Sequence, residues 1–176
     1  EPTDPEPTDP EPTDPTRLKI EDLTYQNCTP VINNNQLCIT NATKDFPLIL
    51  LEPSVDTVEF DVDVSSGMYT WVVLGGDYES ALIMAIYSDA AGYIMLLPNE
   101  GLGATELQQY DYRNKISHVK LEKTEDRIIL TYNNSDTKEY LFSSTLFNGI
   151  QTKGFGFVIQ ADSPSKKGYK NIKINV

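Results

Sequence analysis

The chain has 176 residues and a formal net charge of −12 at neutral pH. That length suffices for one domain with a sizeable core, and so acidic a surface would repel a phosphate backbone, which argues against nucleic acid as a partner. The sequence has no apolar run long enough to span a membrane, and its N-terminal residues lack a signal-peptide pattern.

The first fifteen residues are three copies of the unit Glu-Pro-Thr-Asp-Pro, followed by Thr16. Two prolines in each unit block helix and central strand, and the repeated acids repel one another. We therefore predict a disordered linker over residues 1–16 and one folded domain over residues 17–176. Such a repeat is typical of a tether within a larger extracellular protein, although a disordered tail without a role fits the same composition.

Two cysteines, Cys28 and Cys38, stand on either side of a short polar loop early in the domain. The rest of the chain looks extracellular, and disulfides persist outside the cell. We predict a disulfide between the two residues, which would stabilise the fold by roughly 2–3 kcal/mol through loop entropy. Two buried thiols are the alternative.

From Arg17 onward the apolar residues recur at every second position, which is the period of a strand with one face on a core. Turns rich in Gly, Asn and Asp separate ten or so such segments, and only residues 144–148 suggest a single helical turn. This pattern predicts an all-β fold, a two-sheet antiparallel β-sandwich. The residues expected in its core are Ile20, Leu37, Ile39, Phe60, Val62, Leu82, Met84, Val119, Leu121, Ile128, Leu130, Phe155, Phe157, Ile172 and Ile174.

The order of the segments resembles the concanavalin A-like jelly roll and, within that group, laminin G-like and related carbohydrate-binding modules. The segments that carry the resemblance are NNNQLCITN, VEFDVDV, the glycine-bearing strand WVVLGG, the long hairpin ALIMAIYSDAAGYIML, the segment HVKLEKTEDRIILTYNN, and the closing strands GFGFVIQ and KNIKINV. The resemblance covers nearly all of residues 17–176. It implies a jelly-roll sandwich and a role in recognition at a surface.

Three carboxylates, Glu59, Asp61 and Asp63, alternate with apolar residues in one predicted strand. They resemble the Glu-x-Asp-x-Glu motif of concanavalin A-like retaining glycoside hydrolases, whose outer residues are nucleophile and acid/base. Four residues of strand separate the outer Cα atoms by roughly 13 Å, whereas retaining chemistry needs carboxyl groups about 5–5.5 Å apart, and the last residue here is the shorter Asp63. We therefore predict a solvated acidic face and no catalysis, with a glycosidase using Glu59 and Asp63 as the less favoured alternative. His118, the only histidine, is expected to be exposed.

Aromatic residues are the strongest candidates for a ligand site, because flat rings bury the apolar faces of sugars and nearby polar groups fix the hydroxyls. Several tyrosines accompany the single tryptophan on predicted strands or beside turns, and one polar strand carries two of them. The alternative is that any one of these rings is a core or strand-edge residue and does not bind a ligand. The predicted ligand-binding residues are Trp71, Tyr69, Tyr110, Tyr112, Tyr87, Tyr93, Gln109, Asp111 and Arg113.

The resemblance to laminin G-like modules also implies a structural Ca²⁺ held by loop oxygens, for which Glu21, Asp22 and Asp162 are candidates. Scattered acids also form turns, so we expect no required cofactor. The leading prediction is a non-catalytic carbohydrate-binding module on a cell surface, or on a phage or virus particle, with a glycan or glycoconjugate as partner. A protein-binding or structural adhesin domain is the alternative.

Overall fold

The computed structural model describes residues 16–41, 47–62, 70–86, 91–98, 105–111, 116–147, 150, 154–159 and 169–175; at positions 16, 70, 91–98 and 105–111 only the backbone is described. In these residues, short 3-10 helices cover Ile20–Asp22 and Thr145–Phe147. The strands are β1 (Thr16–Arg17), β2 (Leu23–Gln26), β3 (Thr29–Asn33), β4 (Gln36–Thr40), β5 (Leu48–Leu51), β6 (Thr57–Val62), β7 (Thr70–Gly76), β8 (Ser80–Ile86), β9 (Ala91–Pro98), β10 (Thr105–Asp111), β11 (His118–Lys123), β12 (Arg127–Tyr132), β13 (Asp136–Leu141), β14 (Gly156–Val158) and β15 (Tyr169–Ile174).

The strands form two antiparallel sheets that bury one common core. The first sheet has eight strands in the order β13-β12-β11-β6-β15-β4-β3, with β1 paired to the end of β15. The second sheet has seven strands in the order β10-β9-β8-β7-β14-β5-β2. The predicted two-sheet antiparallel β-sandwich is therefore confirmed. Within the described part of the chain, no helix has the length and apolar character needed to cross a membrane.

Alternation along the strands decides which residues reach the core. In β6, Val58, Phe60 and Val62 are buried, while the residues between them lie on the outer face of the first sheet. Every core residue expected from the sequence is buried except Ile20, which is 37 % exposed because it begins a 3-10 helix instead of continuing a strand. The helical turn expected near residue 145 is present at Thr145–Phe147.

Strand β5 departs from alternation, because all four of its residues are buried. Ile49 and Leu51 face the core between the sheets, whereas Leu48 and Leu50 join a second apolar cluster on the outer face of the second sheet. A continuous apolar run of this length is typical of a strand covered on both faces.

Asparagine makes the tight turns of the sandwich. In the described residues, every non-glycine residue with a positive φ is an asparagine, a residue type that adopts the left-handed region more readily than most. Asn34 and Asn35, with φ values of 49° and 61°, form the two-residue connection between β3 and β4. Positive φ at both positions gives a type I′ turn, which matches the twist of the two strands.

The predicted disulfide between Cys28 and Cys38 does not form, since both cysteines are free and buried. Cys38 pairs with Val31 across β3 and β4, whereas Cys28 lies three residues before Val31, just outside β3, and belongs to the core cluster, which does not include Cys38. That offset separates the two Cα atoms by about 10 Å and turns the side chains to opposite faces, beyond the reach of a disulfide. Burial raises the pKa of the Cys28 thiol to about 11.

A buried tyrosine connects the two sheets through the core. Tyr169 of β15 is 2 % exposed, and its hydroxyl lies within hydrogen-bond distance of the carbonyl oxygens of Trp71 and Val158, the latter at 2.9 Å. The hydroxyl also accepts a hydrogen bond of 3.1 Å from the N–H of Trp71. Its ring contacts Phe60 and Phe157 at centroid distances of 5.5 and 4.4 Å. Burial raises the pKa of Tyr169, so the hydroxyl keeps its proton.

Replacing Tyr169 with phenylalanine removes the hydroxyl and leaves backbone groups of β7 and β14 buried without that partner. We expect Tyr169→Phe to lower the free energy of unfolding by about 1–3 kcal/mol, measured by urea denaturation. Tyr25→Phe is the matched control, because Tyr25 is 46 % exposed and should change little. Equal stabilities of the two variants would contradict this role of the hydroxyl.

Candidate functional site

A groove opens on the first sheet where the strand paired with one edge of β15 changes from β4 to β1. Lys170 pairs with Gln36 of β4, whereas Lys173 pairs with Arg17 of β1. Between these pairs the register of β15 on β6 shifts, and Asn171 has a φ of 53°. The bulge interrupts regular pairing and leaves a groove of about 890 Å³. Bulges commonly redirect a side chain beside a functional site.

The groove is lined by both apolar and polar residues, and its three apolar residues, which belong to or pack against the core, are called its floor here. Leu18, Ile32 and Ile172 supply the apolar surface, and charged or amide side chains from β1, the β3–β4 turn, β6, β11 and β15 surround it. An apolar surface combined with a few convergent polar groups is the usual composition of a small-molecule site. This groove is the candidate functional site.

Asp61 bonds two other residues of the groove through its side chain. Its Oδ1 lies 2.8 Å from Nδ1 of His118, and its Oδ2 accepts a hydrogen bond of 2.7 Å from Nδ2 of Asn171. The backbone N–H of Asn171 donates in turn to the carbonyl oxygen of Asn35 at 2.8 Å. The bulge is thus anchored to the β3–β4 turn on one side and to Asp61 on the other.

Glu59 completes the network on the same face of β6. Its Oε1 lies 3.2 Å from Nζ of Lys173 and 3.7 Å from Nε2 of His118. The imidazole of His118 therefore stands between two carboxylates, one at each ring nitrogen. The side chains of Glu59 and His118 are only 23 % and 20 % exposed, so the prediction of a solvated acidic face and an exposed histidine was wrong for these residues. Asp63, the third member of the predicted motif, lies outside the described residues.

Strand register explains why these side chains meet. Asp61 stands directly opposite His118 of β11, and Glu59 stands opposite Lys173 of β15. Directly opposed residues in antiparallel strands share one face of the sheet, with their Cβ atoms about 5 Å apart. Asn133 holds the start of β11, because its side-chain oxygen accepts hydrogen bonds from the N–H groups of Ser117 and His118 at 2.9 and 3.2 Å.

The surroundings of Asp61 favour its ionised form. Partial burial raises the pKa of Asp61, but the hydrogen bonds from Asn171 and His118, together with the positive charges of His118 and Lys173, outweigh burial and lower it. At neutral pH a carboxylate held in this way is ionised and can only accept hydrogen bonds. It can receive a hydrogen bond from a ligand hydroxyl, whereas a general acid would need a raised pKa.

The aromatic residues predicted from the sequence belong to the other sheet, as far as the structure describes them. Trp71 of β7 is half-buried against the apolar cluster on the outer face of the second sheet, beside Val73 and Val158. Trp71 pairs with Ala85 of β8, Ala85 pairs with Tyr93 of β9, and Tyr93 pairs with Gln109 of β10. These four residues therefore form one row across the second sheet. Tyr110 and Asp111 occupy the next two rows, opposite Gly92 and Ala91. Tyr69, Tyr87, Tyr112 and Arg113 lie outside the described residues.

The carboxylates predicted to bind calcium have local roles where they are described. Asp22 accepts a hydrogen bond of 2.9 Å from the N–H of Lys19, and Glu21 lies 3.7 Å from Nζ of Lys19. The third candidate, Asp162, lies outside the described residues. Within the described ranges, no three His, Cys, Asp or Glu side chains are grouped so as to hold a metal ion.

Comparison with known proteins supports the fold. The chain is similar in structure to the carbohydrate-binding module CBM66 from Bacillus subtilis, with a TM-score of 0.58 and 14 % identity over 86 % of this chain and 93 % of that one. Sheep galectin-11 in complex with glycerol matches at a TM-score of 0.46 and 11 % identity, over 74 % of this chain and 98 % of that one. No protein-family model and no curated protein sequence matches the chain. At these identities the similarity to CBM66 shows the β-sandwich fold.

The lowered pKa of Asp61 predicts a pH dependence of stability. Because the folded-state value lies below the ordinary value of 3.8, ionised Asp61 stabilises the fold above that pH, and this contribution is lost as the pH falls through the folded-state pKa. We expect the stability difference between the native protein and Asp61→Asn to be larger at neutral pH than in strong acid, measured by urea denaturation at both. The control is Asp136→Asn, at an exposed position of β13. A difference that does not vary with pH would contradict the assignment.

Proposed function

We propose that the chain is a non-catalytic glycan-binding module and that the glycan lies in the groove around Asp61 and Asn171. The observation that carries the proposal is the combination of an apolar floor with polar side chains that are already oriented. Asp61, Asn171 and His118 hold one another at 2.7 and 2.8 Å. A ligand that meets oriented groups does not have to immobilise them, which favours binding.

The chemistry of the groove suits sugar hydroxyls. Carboxylate and amide side chains form paired hydrogen bonds with neighbouring hydroxyls, and Leu18, Ile32 and Ile172 provide apolar surface for the C–H face of a ring. The volume of about 890 Å³ falls within the range of small-ligand sites, roughly 300–1,000 Å³. The structural neighbour from Bacillus subtilis is a carbohydrate-binding module, which adds support to the same class of ligand.

Binding without catalysis fits the two described carboxylates of β6. A retaining glycosidase needs one carboxylic acid that keeps its proton for the leaving group, and therefore a raised pKa. The pKa of Asp61 is lowered. Glu59 is already engaged with Lys173 and His118. Asp61 is therefore not arranged to act as that acid, and Asp63, the acid/base candidate of the predicted motif, lies outside the described residues.

The proposal extends to the residues before the domain. Arg17 of β1 is separated from the proline-rich repeat by Thr16 alone and also borders the groove. An extended repeat rises about 3.1 Å per residue, so fifteen residues would hold the module up to ~50 Å from whatever it is attached to. We propose that this spacing presents the groove to a glycan outside the cell or on a particle surface.

A glycan array probed with the full chain tests the proposal, with affinities of array hits measured by calorimetry. Asp61→Ala removes two hydrogen bonds to the network and one acceptor for the ligand, so we expect the affinity to fall at least about tenfold. Asp61→Asn preserves the shape and serves as a second variant should Asp61→Ala fold poorly. Asp136→Ala, on the outer strand β13, is the matched control and should bind as the native chain does.

The same measurements distinguish a ligand site on the first sheet from one on the second sheet. Trp71→Ala tests the aromatic surface predicted from the sequence and should leave affinity unchanged if the ligand lies in the groove. Loss of binding in Trp71→Ala with normal binding in both Asp61 variants would place the glycan on the second sheet. Failure to bind any glycan at millimolar concentration, together with capture of a purified surface protein, would favour the adhesin alternative.

A further inference from the structure

Three cations lie in one row across the first sheet, and two of them, Arg17 and Lys173, line the groove. Strand register aligns Arg17, Lys173, Glu59 and Lys120 in one row across β1, β15, β6 and β11. Lys120 has a carboxylate partner in Glu122 at 3.3 Å, and Lys173 has one in Glu59 at 3.2 Å. The row therefore contains three cations and one carboxylate, and it ends on Arg17 at the rim of the groove.

Arg17 differs from the other two cations of this row, because it has no carboxylate partner among the described residues. Its side chain is exposed, and no carboxylate of the described residues lies within ion-pair distance of its guanidinium. Arg17 also stands directly opposite Lys173, and like charges in opposed positions of an antiparallel pair destabilise it. An anion bound at Arg17 would relieve that repulsion, whereas Glu59 and Asp61 already have cationic or amide partners.

The groove thus presents three kinds of contact side by side. Arg17 offers a planar fork of N–H donors, which matches a carboxylate with two parallel hydrogen bonds. Leu18 and Ile32 lie beside it on the floor, and Asp61 with Asn171 offers hydrogen bonds further along. A sugar ring that carries a carboxylate would use all three at once.

We infer that the groove binds an acidic sugar, a uronate-type residue, whose carboxylate pairs with Arg17 while its hydroxyls contact Asp61 and Asn171. The inference rests on the proposed glycan-binding function and assigns the class of sugar. The chain as a whole carries a net charge of −12, so general electrostatics would repel a polyanion. Attraction to an acidic glycan must therefore come from a local contact, which mutation of one residue can remove.

The test compares uronic-acid oligosaccharides with their methyl esters, which keep the sugar and remove the charge. The probes are galacturonate, glucuronate and mannuronate/guluronate oligomers, titrated into the full chain by calorimetry. We expect the native chain to bind an acid form at least about tenfold more tightly than its ester, because a charged bidentate pair is worth more than one neutral hydrogen bond. Arg17→Gln should abolish this preference, and Arg17→Lys should retain part of it.

Lys138→Gln provides the matched control, because it removes the same charge from an exposed position of β13 in the same sheet and should leave the preference intact. Thermal unfolding of each variant establishes that it is folded. Equal affinity for acid and ester, or an acid preference that survives Arg17→Gln, would overturn the inference. Binding of neutral glycans that requires Asp61 and ignores Arg17 would refute the acidic sugar and leave the glycan-binding function standing. Failure to bind every acidic and neutral glycan would remove both.

Discussion

The hydroxyl of Tyr169 ties the two sheets together through the core, and the rest of the sandwich depends on the strand that carries it. In an apolar interior a polar group is tolerated only when it is hydrogen-bonded, so Tyr169 is fixed by the backbone of Trp71 and Val158. That bond fixes the start of β15 against the second sheet. Two residues later the same strand bulges outward at Asn171 and reaches Asp61. One strand therefore holds the sandwich closed and shapes the groove on its surface.

Much of the fold could be predicted from the sequence, because strand periodicity is a local property. The alternation of Val58, Phe60 and Val62 with acidic residues identified both faces of β6, and the structure keeps those faces. Strand β5 was missed, because LILL is buried on both sides and shows no alternation. The disulfide prediction was wrong for a related reason, because short spacing in the chain does not reveal that Cys28, just before β3, and Cys38 of β4 lie on opposite faces of the sheet.

The candidate site could be predicted only in part, because it depends on strands that are far apart in the chain. Glu59 and Asp61 stand out as a pair of acids, but their partners His118 and Lys173 reach them only through the pairing of β6 with β11 and β15. The bulge at Asn171 is equally hidden. Other asparagines of the described chain also adopt a positive φ, so the residue type does not reveal a bulge. Only the register shift in β15 distinguishes Asn171 from them. Aromatic residues could be proposed as ligand-binding residues from the sequence, because their type alone suggests that role. Amide and acidic residues are common on protein surfaces, so their type alone does not indicate a groove.

The contacts within the groove also carry the proposed function. Oriented acceptors, an apolar floor and one guanidinium without a carboxylate partner among the described residues are the observations on which we base the proposal of a polar ring with a charged substituent as ligand. Nothing in that description requires a moving proton or a nucleophile. The hydrogen bonds between Asp61, His118 and Asn171 hold these side chains in place, and this order is the reason that we propose a binding role for this face of the sheet.

Chemical-shift mapping of the isotope-labelled chain with a bound glycan tests the central claim most directly, that the ligand lies at the bulge of β15. The account predicts the largest changes at the backbone amides of Leu18, Asp61, His118 and Ile172, with smaller changes along β7 and β8. Changes centred on Trp71 and Ala85, with the amides around Asn171 unaffected, would contradict it.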